Sequence, residues 1–259
     1  MNDEDVLYNQ LFDIIKNEEM GRDVKLAKID MLTKLGVDVN KRNKKIKEIN
    51  TPLLLAIDEG DFDIVKYLVE NGAVVDKDSV SFTSVISPLM LASKKGQKEI
   101  VEYLISKGAN VTVKNFGHSS ALVNAIENGY NDIVEILINN GAEINPVKKE
   151  YKSPLISAVK NNKNEIAKIL IKNGADINYV DFWNSSALMH ASRHGNIEMV
   201  EFLIAKGADV NIKNQYGLSA LKMVKDEETQ KAIIRAIKRR EMSLGIIKIK
   251  KYFGINSKN

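Results

Sequence analysis

Short runs of apolar residues at helical spacing alternate with glycine-ended turns along most of the chain, and the alternation keeps a fixed period. An Asn-Gly-Ala or Lys-Gly-Ala step recurs at Gly72, Gly108, Gly141, Gly174 and Gly207, 36 residues apart at first and 33 apart thereafter. A second series runs Thr51-Pro-Leu, Ser87-Pro-Leu, Ser120-Ala-Leu, Ser153-Pro-Leu, Ser186-Ala-Leu and Ser219-Ala-Leu in the same register. Two landmarks that hold one phase over five units define a repeat. Each Ser or Thr is placed to cap a helix by accepting from its free N–H groups. Pro52, Pro88 and Pro154 then occupy the first helical position, where the missing N–H costs nothing. The helix ends at a turn glycine such as Gly60, Gly96, Gly129 or Gly195. A second helix follows, as in Ile100-Val-Glu-Tyr-Leu-Ile105, and an extended stretch such as Ala109-Asn-Val-Thr-Val113 leads to the next unit through a hairpin-like finger.

These residues resemble those of the ankyrin-repeat family. Thr51-Pro-Leu-Leu-Leu-Ala56 and Ser87-Pro-Leu-Met-Leu-Ala92 are similar to its Thr-Pro-Leu-His-x-Ala element. Glu198-Met-Val-Glu-Phe-Leu-Ile-Ala-Lys-Gly-Ala-Asp-Val-Asn211 resembles its second helix and exit loop. The likeness covers residues 36 to 224 and implies an all-α solenoid of about seven helix-turn-helix units, caps included, joined by β-hairpin-like loops. No unit keeps the element's His: Leu54, Met90, Val123, Ile156, Met189 and Lys222 stand there. In the family that His bridges neighbouring loops, so its loss implies loops less rigidly tied. Residues 1–40 are read as a degenerate capping repeat, with helices over 5–17 and 23–35. Residues 41–224 form the array, 225–243 a capping helix and 244–259 a basic tail.

Composition narrows the chemistry. The hydrophobic share of 44% and charged share of 28% are those of a folded, soluble chain. With no cysteine, disulfides, zinc–thiolate sites and thiol nucleophiles are excluded. Met1 to Asp5 carry acids where a secretory leader carries lysines, and no apolar run is long enough to span a bilayer, so a cytoplasmic location is expected. Export to a host cell without a cleaved leader remains compatible with the sequence. The net charge of +4 is small and does not by itself call for nucleic acid.

No catalytic constellation emerges. His190 and His194 are four residues apart on one helix, the spacing of a metal pair, but Ala191 replaces the Glu of the protease pattern and no third ligand accompanies them. The recurring serines are explained as caps, the glycines as turns, and Asp58 with Glu59 as a solvated helix end. A non-catalytic protein without cofactor or metal is expected.

Binding residues are sought on the fingers and on the last residues of each first helix, the surface the resemblance implies. The finger tips carry Asn115 and Phe116, then Lys149, Glu150 and Tyr151, then Phe182 and Trp183, then Gln215 and Tyr216. Rings of this kind either anchor a partner or brace neighbouring loops. The helix ends carry Asp58 and Glu59, Lys94 and Lys95, Glu127 and Asn128, Lys160 and Asn161, then Arg193 and His194. The reading is a monomeric adaptor for a protein partner, through Phe116, Tyr151, Phe182, Trp183, Tyr216, Lys94, Lys95, Lys160, Arg193 and His194. The alternative is a binder of nucleic acid or anionic membrane, through the basic finger 41–47 and the tail, where Ile246 to Phe253 mixes lysines with apolar residues.

Overall fold

The computed structural model describes residues 3–43, 49–76, 86–148 and 151–243. The greater part of the finger 41–47, nearly all of the apolar finger 79–86, the tips Lys149 and Glu150, and the tail 244–259 lie outside the described residues. Fourteen helices are present among the described residues, and no sheet. They pack as two compact units, Met1–Glu143 and Ile144–Asn259.

Unit one contains α1 (Asp3–Lys16), α2 (Arg22–Lys34), α3 (Pro52–Glu59), α4 (Phe62–Glu70), α5 (Pro88–Lys95), α6 (Lys98–Ser106), α7 (Ala121–Asn128) and α8 (Asn131–Asn139). First helices α1, α3, α5 and α7 stack side by side, and α2, α4, α6 and α8 form a second row. The expected helices over 5–17 and 23–35 are α1 and α2, each begun slightly earlier. Unit two contains α9 (Pro154–Lys160), α10 (Asn164–Lys172), α11 (Ala187–Arg193), α12 (Ile197–Ala205), α13 (Ala220–Met223) and α14 (Glu227–Ser243). Here α9, α11 and α13 stack in one row, while α14 packs against α12.

The helices start where the side chains dictate. Thr51, Ser87, Ser120, Ser153 and Ser186 each accept a hydrogen bond from the amide three residues on, at 3.2 to 3.4 Å. Ser219 does not, a departure from the expected series: α13 lasts four residues and leaves Val224 extended. At the end of α9 the left-handed residue is Asn162 (φ 53°), since no glycine stands there. First helices are buried nearly all round, as Leu53 to Ile57 and Ala187 to Ser192 illustrate. Second helices bury one stripe, such as Ile100, Val101 and Leu104. Each fully buried Leu or Ile of this kind contributes roughly 1.5–3 kcal/mol by leaving water.

Consecutive turns are tied by Asn and Asp side chains. In unit one Asn40 donates to Gly72 O (2.8 Å) and accepts from Val74 N (2.9 Å), and Asp76 accepts from Asn110 N (2.7 Å). In unit two Asn145 donates to Gly174 O (2.9 Å) and accepts from Asp176 N (2.7 Å), and Asn178 accepts from Asp209 N (2.8 Å). The loops without the family's His are therefore tied by a different side chain, one turn further back. At the C-terminal end of unit two Arg240 donates to Ala208 O (3.0 Å), fastening α14 over the last exit loop.

Candidate binding surface

Three finger tips among the described residues begin with a side-chain acceptor and end with a left-handed residue. In Asp181-Phe-Trp-Asn184 the Asp181 Oδ1 accepts from Trp183 N (3.0 Å) and Ser185 N (2.9 Å), and Asn184 has φ 61°. In Asn214-Gln-Tyr-Gly217 the Asn214 Oδ1 accepts from Tyr216 N (2.9 Å) and Leu218 N (3.0 Å), and Gly217 has φ 73°. In Asn115-Phe-Gly-His118 the Asn115 Oδ1 accepts from Ser119 N (3.0 Å), and His118 has φ 55°. Short Asx side chains make such turns because they replace a backbone acceptor. The residues between have no inward direction left, so their rings project. Phe116 is 56% exposed, Phe182 67%, Trp183 51% and Tyr216 73%. All four rings are open to solvent, Trp183 the least.

Tyr151 differs. The acceptor position of its finger is Lys148, which cannot play the Asx part. Tyr151 is half-buried, its amide donates to Lys148 O (3.0 Å), and Lys148 Nζ lies 5.8 Å from its ring centroid. Tyr179 Oη also donates to Lys148 O (2.9 Å). This finger is tied to its own surroundings.

In unit two the adjacent tips are joined directly. Gln215 N donates to Trp183 O (3.0 Å), and Phe182 packs edge-on to Trp183 with centroids 5.9 Å apart. Beneath them His190 Nε2 lies 3.0 Å from Asp181 Oδ2, both largely buried. Burial would raise the Asp181 carboxyl, but His190 and the Ser185 and Trp183 amides outweigh it and hold the group below the usual carboxylate range. His190 thus fastens the aromatic tip to α11, a role that the sequence reading missed. The signal was available as an acid or Asn at 115, 181 and 214, in repeat register. The pairing with His190 was not, since only the folded finger brings the two together.

The cationic residues divide by unit. In unit one Lys94 and Lys95 are exposed at the end of α5, and Lys95 pairs with Asp58 at 2.5 Å. In unit two Lys160, Arg193 and His194 are exposed at the ends of α9 and α11, with Lys225 just beyond α13. The His194 imidazole is held below its usual value by partial burial first, then by His190, Arg193, Lys160 and Lys225. Phe116, Lys94 and Lys95 belong to unit one, and Tyr151, Lys160, Phe182, Trp183, Arg193, His194 and Tyr216 to unit two. Among the described residues no group of three or more His, Asp or Glu side chains could hold a metal ion. Nor is any helix among them long and apolar enough to cross a membrane.

A fold of paired helices, capped fingers and this 33-residue register is that of ankyrin repeats. The family model for ankyrin repeats (3 copies) matches residues 23–115 and again 122–214, and the chain belongs to that family. Among solved structures it is similar to the human ASB11 ankyrin repeat domain, with a TM-score of 0.70 and 24% identity over 89% of this chain and 96% of that one. It is also similar to the ankyrin repeat domain of Bcl-3, a member of the IkappaB protein family, with a TM-score of 0.69 and 24% identity over 86% and 96%. No curated protein matches the sequence. At this identity the two structures speak for the fold alone, which is generally a protein-interaction module and typically non-catalytic.

Proposed function

We propose that this protein is a non-catalytic adaptor that holds a protein partner on its finger tips and on the ends of its first helices. The observation that carries the reading is the set of rings that the tips hold out into water. Leaving Phe116, Phe182, Trp183 and Tyr216 exposed sacrifices burial, and the Asx turns beneath them fix their direction before any partner arrives. Large rings pre-set in this way give contact area at little further entropy loss, which is what interface anchors require. A monomer in the cytoplasm fits the reading, since a cysteine-free chain tolerates a reducing compartment.

Capture from a cell lysate at moderate salt tests it, with the wild type compared against Trp183→Ala/Tyr216→Ala. The expected result is a discrete protein retained by the wild type and lost from the variant, whose far-UV circular dichroism is unchanged. Recovery of nucleic acid or lipid alone, released by salt, would overturn the adaptor reading in favour of the basic finger and tail.

A further inference from the structure

We propose that unit two takes an extended acidic segment of a protein, its carboxylates on Lys160, Arg193 and Lys225 and its apolar side chains on Trp183 and Tyr216. The inference rests on the adaptor reading and specifies the chemistry of the partner.

The first observation is an uncompensated row of cations. Lys160 ends α9, Arg193 ends α11, and Lys225 follows α13, and these three helices stack in that order. All three side chains are exposed, and none has an ion pair among the described residues. Some lysines are matched, such as Lys34 by Asp30, Lys95 by Asp58, Lys168 by Glu165 and Glu198, and Lys231 by Glu227; Lys160, Arg193 and Lys225 are set apart by following one another along the ends of stacked helices. Two acids that follow Lys225 directly are already committed, and so is Asp181 at the finger tip. Asp226 Oδ1 accepts from Thr229 N at 2.7 Å to start α14, Glu227 pairs with Lys231, and Asp181 faces His190.

The second observation is spacing. Packed helices lie roughly 8–10 Å apart, and an extended chain advances about 3.3 Å per residue. A strand crossing α9, α11 and α13 would therefore advance about three residues per helix, so that acids sharing one edge would meet the cations two or four positions apart and roughly six residues would span all three. The tips 181–184 and 214–217 rise from the opposite ends of α11 and α13, held together by the Gln215–Trp183 bond. An acidic edge towards the cations and an apolar edge towards the rings is the arrangement that satisfies both sides. Nucleic acid fits less well: three permanent cations supply half or less of the roughly 6–10 phosphate contacts of strongly salt-dependent DNA binders.

The probe is a displayed library of random peptides about twelve residues long, twice the span of the row, panned on the full chain. Selected peptides are then labelled with fluorescein and titrated by anisotropy. Enrichment in Asp and Glu two or four positions apart, on one edge of an extended chain, with an aromatic or Leu at the odd positions between them, is the expected result. Lys160→Gln/Arg193→Gln/Lys225→Gln should weaken binding about tenfold, the combined effect of three partly screened pairs, and flatten its salt dependence. Unchanged circular dichroism and melting midpoint verify the fold of that variant. Peptides without acidic enrichment, or bound equally by the Gln variant, overturn the inference. If those same peptides are lost on Trp183→Ala/Tyr216→Ala, the adaptor reading survives without its acidic partner. Peptides indifferent to both variants, or no selected peptide at all, overturn both. A fluorescein-labelled oligothymidylate that binds more tightly than any peptide, and is released by the Gln variant, overturns the inference in favour of nucleic acid.

Discussion

Gly96 and Gly141 both turn the chain with positive φ, 76° and 86°, yet a side chain would meet different surroundings at each. At Gly141 an added Cβ touches nothing, so Gly141→Ala pays only for the left-handed backbone, about 1 kcal/mol, and the β-branched Gly141→Val more than that. At Gly96 the same Cβ would stand 2.5 Å from the Tyr130 ring, which lies flat over the glycine. Gly96→Ala is therefore expected to lose more in urea unfolding than Gly141→Ala, and Tyr130→Leu in the Gly96→Ala background should recover part of the difference. Equal losses at the two sites would show that the ring moves freely. Asp181 gives a pH-dependent counterpart. Its folded carboxyl is held below the ordinary value of about 4, so the stability it contributes is complete above that value and disappears as pH falls through the lower folded one. Asp181→Asn keeps the acceptor that Asn115 and Asn214 supply in the other fingers but removes the charge. The variant's thermal midpoint should accordingly depend less on pH below about 4 than the wild type's. An acid limb identical to the wild type's would mean that the pair with His190 carries no linkage.

At the scale of the helix, caps were the most legible feature of the sequence, because a cap is local chemistry: Ser120 and the Val123 amide it accepts from are three residues apart. Ser120→Ala should cost about 1 kcal/mol. Ser219→Ala should cost a few tenths at most, although Ser219 occupies the same register position, because it makes no capping bond and α13 ends after four residues. Chemical denaturation of the two variants side by side checks the contrast, and comparable losses would mean that Ser219 caps a longer helix in solution. Where the reading fell short, the cause was contact at a distance. The aromatics of the four finger tips looked equivalent by position, whereas Lys148 removes the Asx acceptor from one finger and leaves Tyr151 half-buried beside it. The pairing of Asp181 with His190, nine residues apart across a turn, needed the folded finger.

Across each unit, every helix pair touches mainly its sequence neighbours, so stability is expected to behave as a sum of repeat and nearest-neighbour terms rather than as one indivisible core. Unit one allows this to be tested with two leucines of identical burial. Leu11 in α1 and Leu104 in α6 are both fully enclosed. Truncation of either to Ala removes the same atoms and costs roughly 2–5 kcal/mol locally. The consequences should differ because the neighbours differ: α1 packs on α2 and α3 at one end of the stack, while α6 packs on α5 and on both α4 and α8. With Leu11→Ala, the end repeat can open by itself, so faster amide exchange should be confined to α1, α2 and the adjoining part of α3. With Leu104→Ala, the weakened repeat lies between others, and each loses an interface when it opens. Faster exchange should then spread from α4 through α8, and the melting midpoint of the unit should fall further than with Leu11→Ala. Hydrogen exchange read by mass spectrometry resolves the two patterns peptide by peptide. Exchange that accelerated uniformly over all eight helices in both variants would mean that unit one opens all at once, and the nearest-neighbour account would have to be abandoned for it.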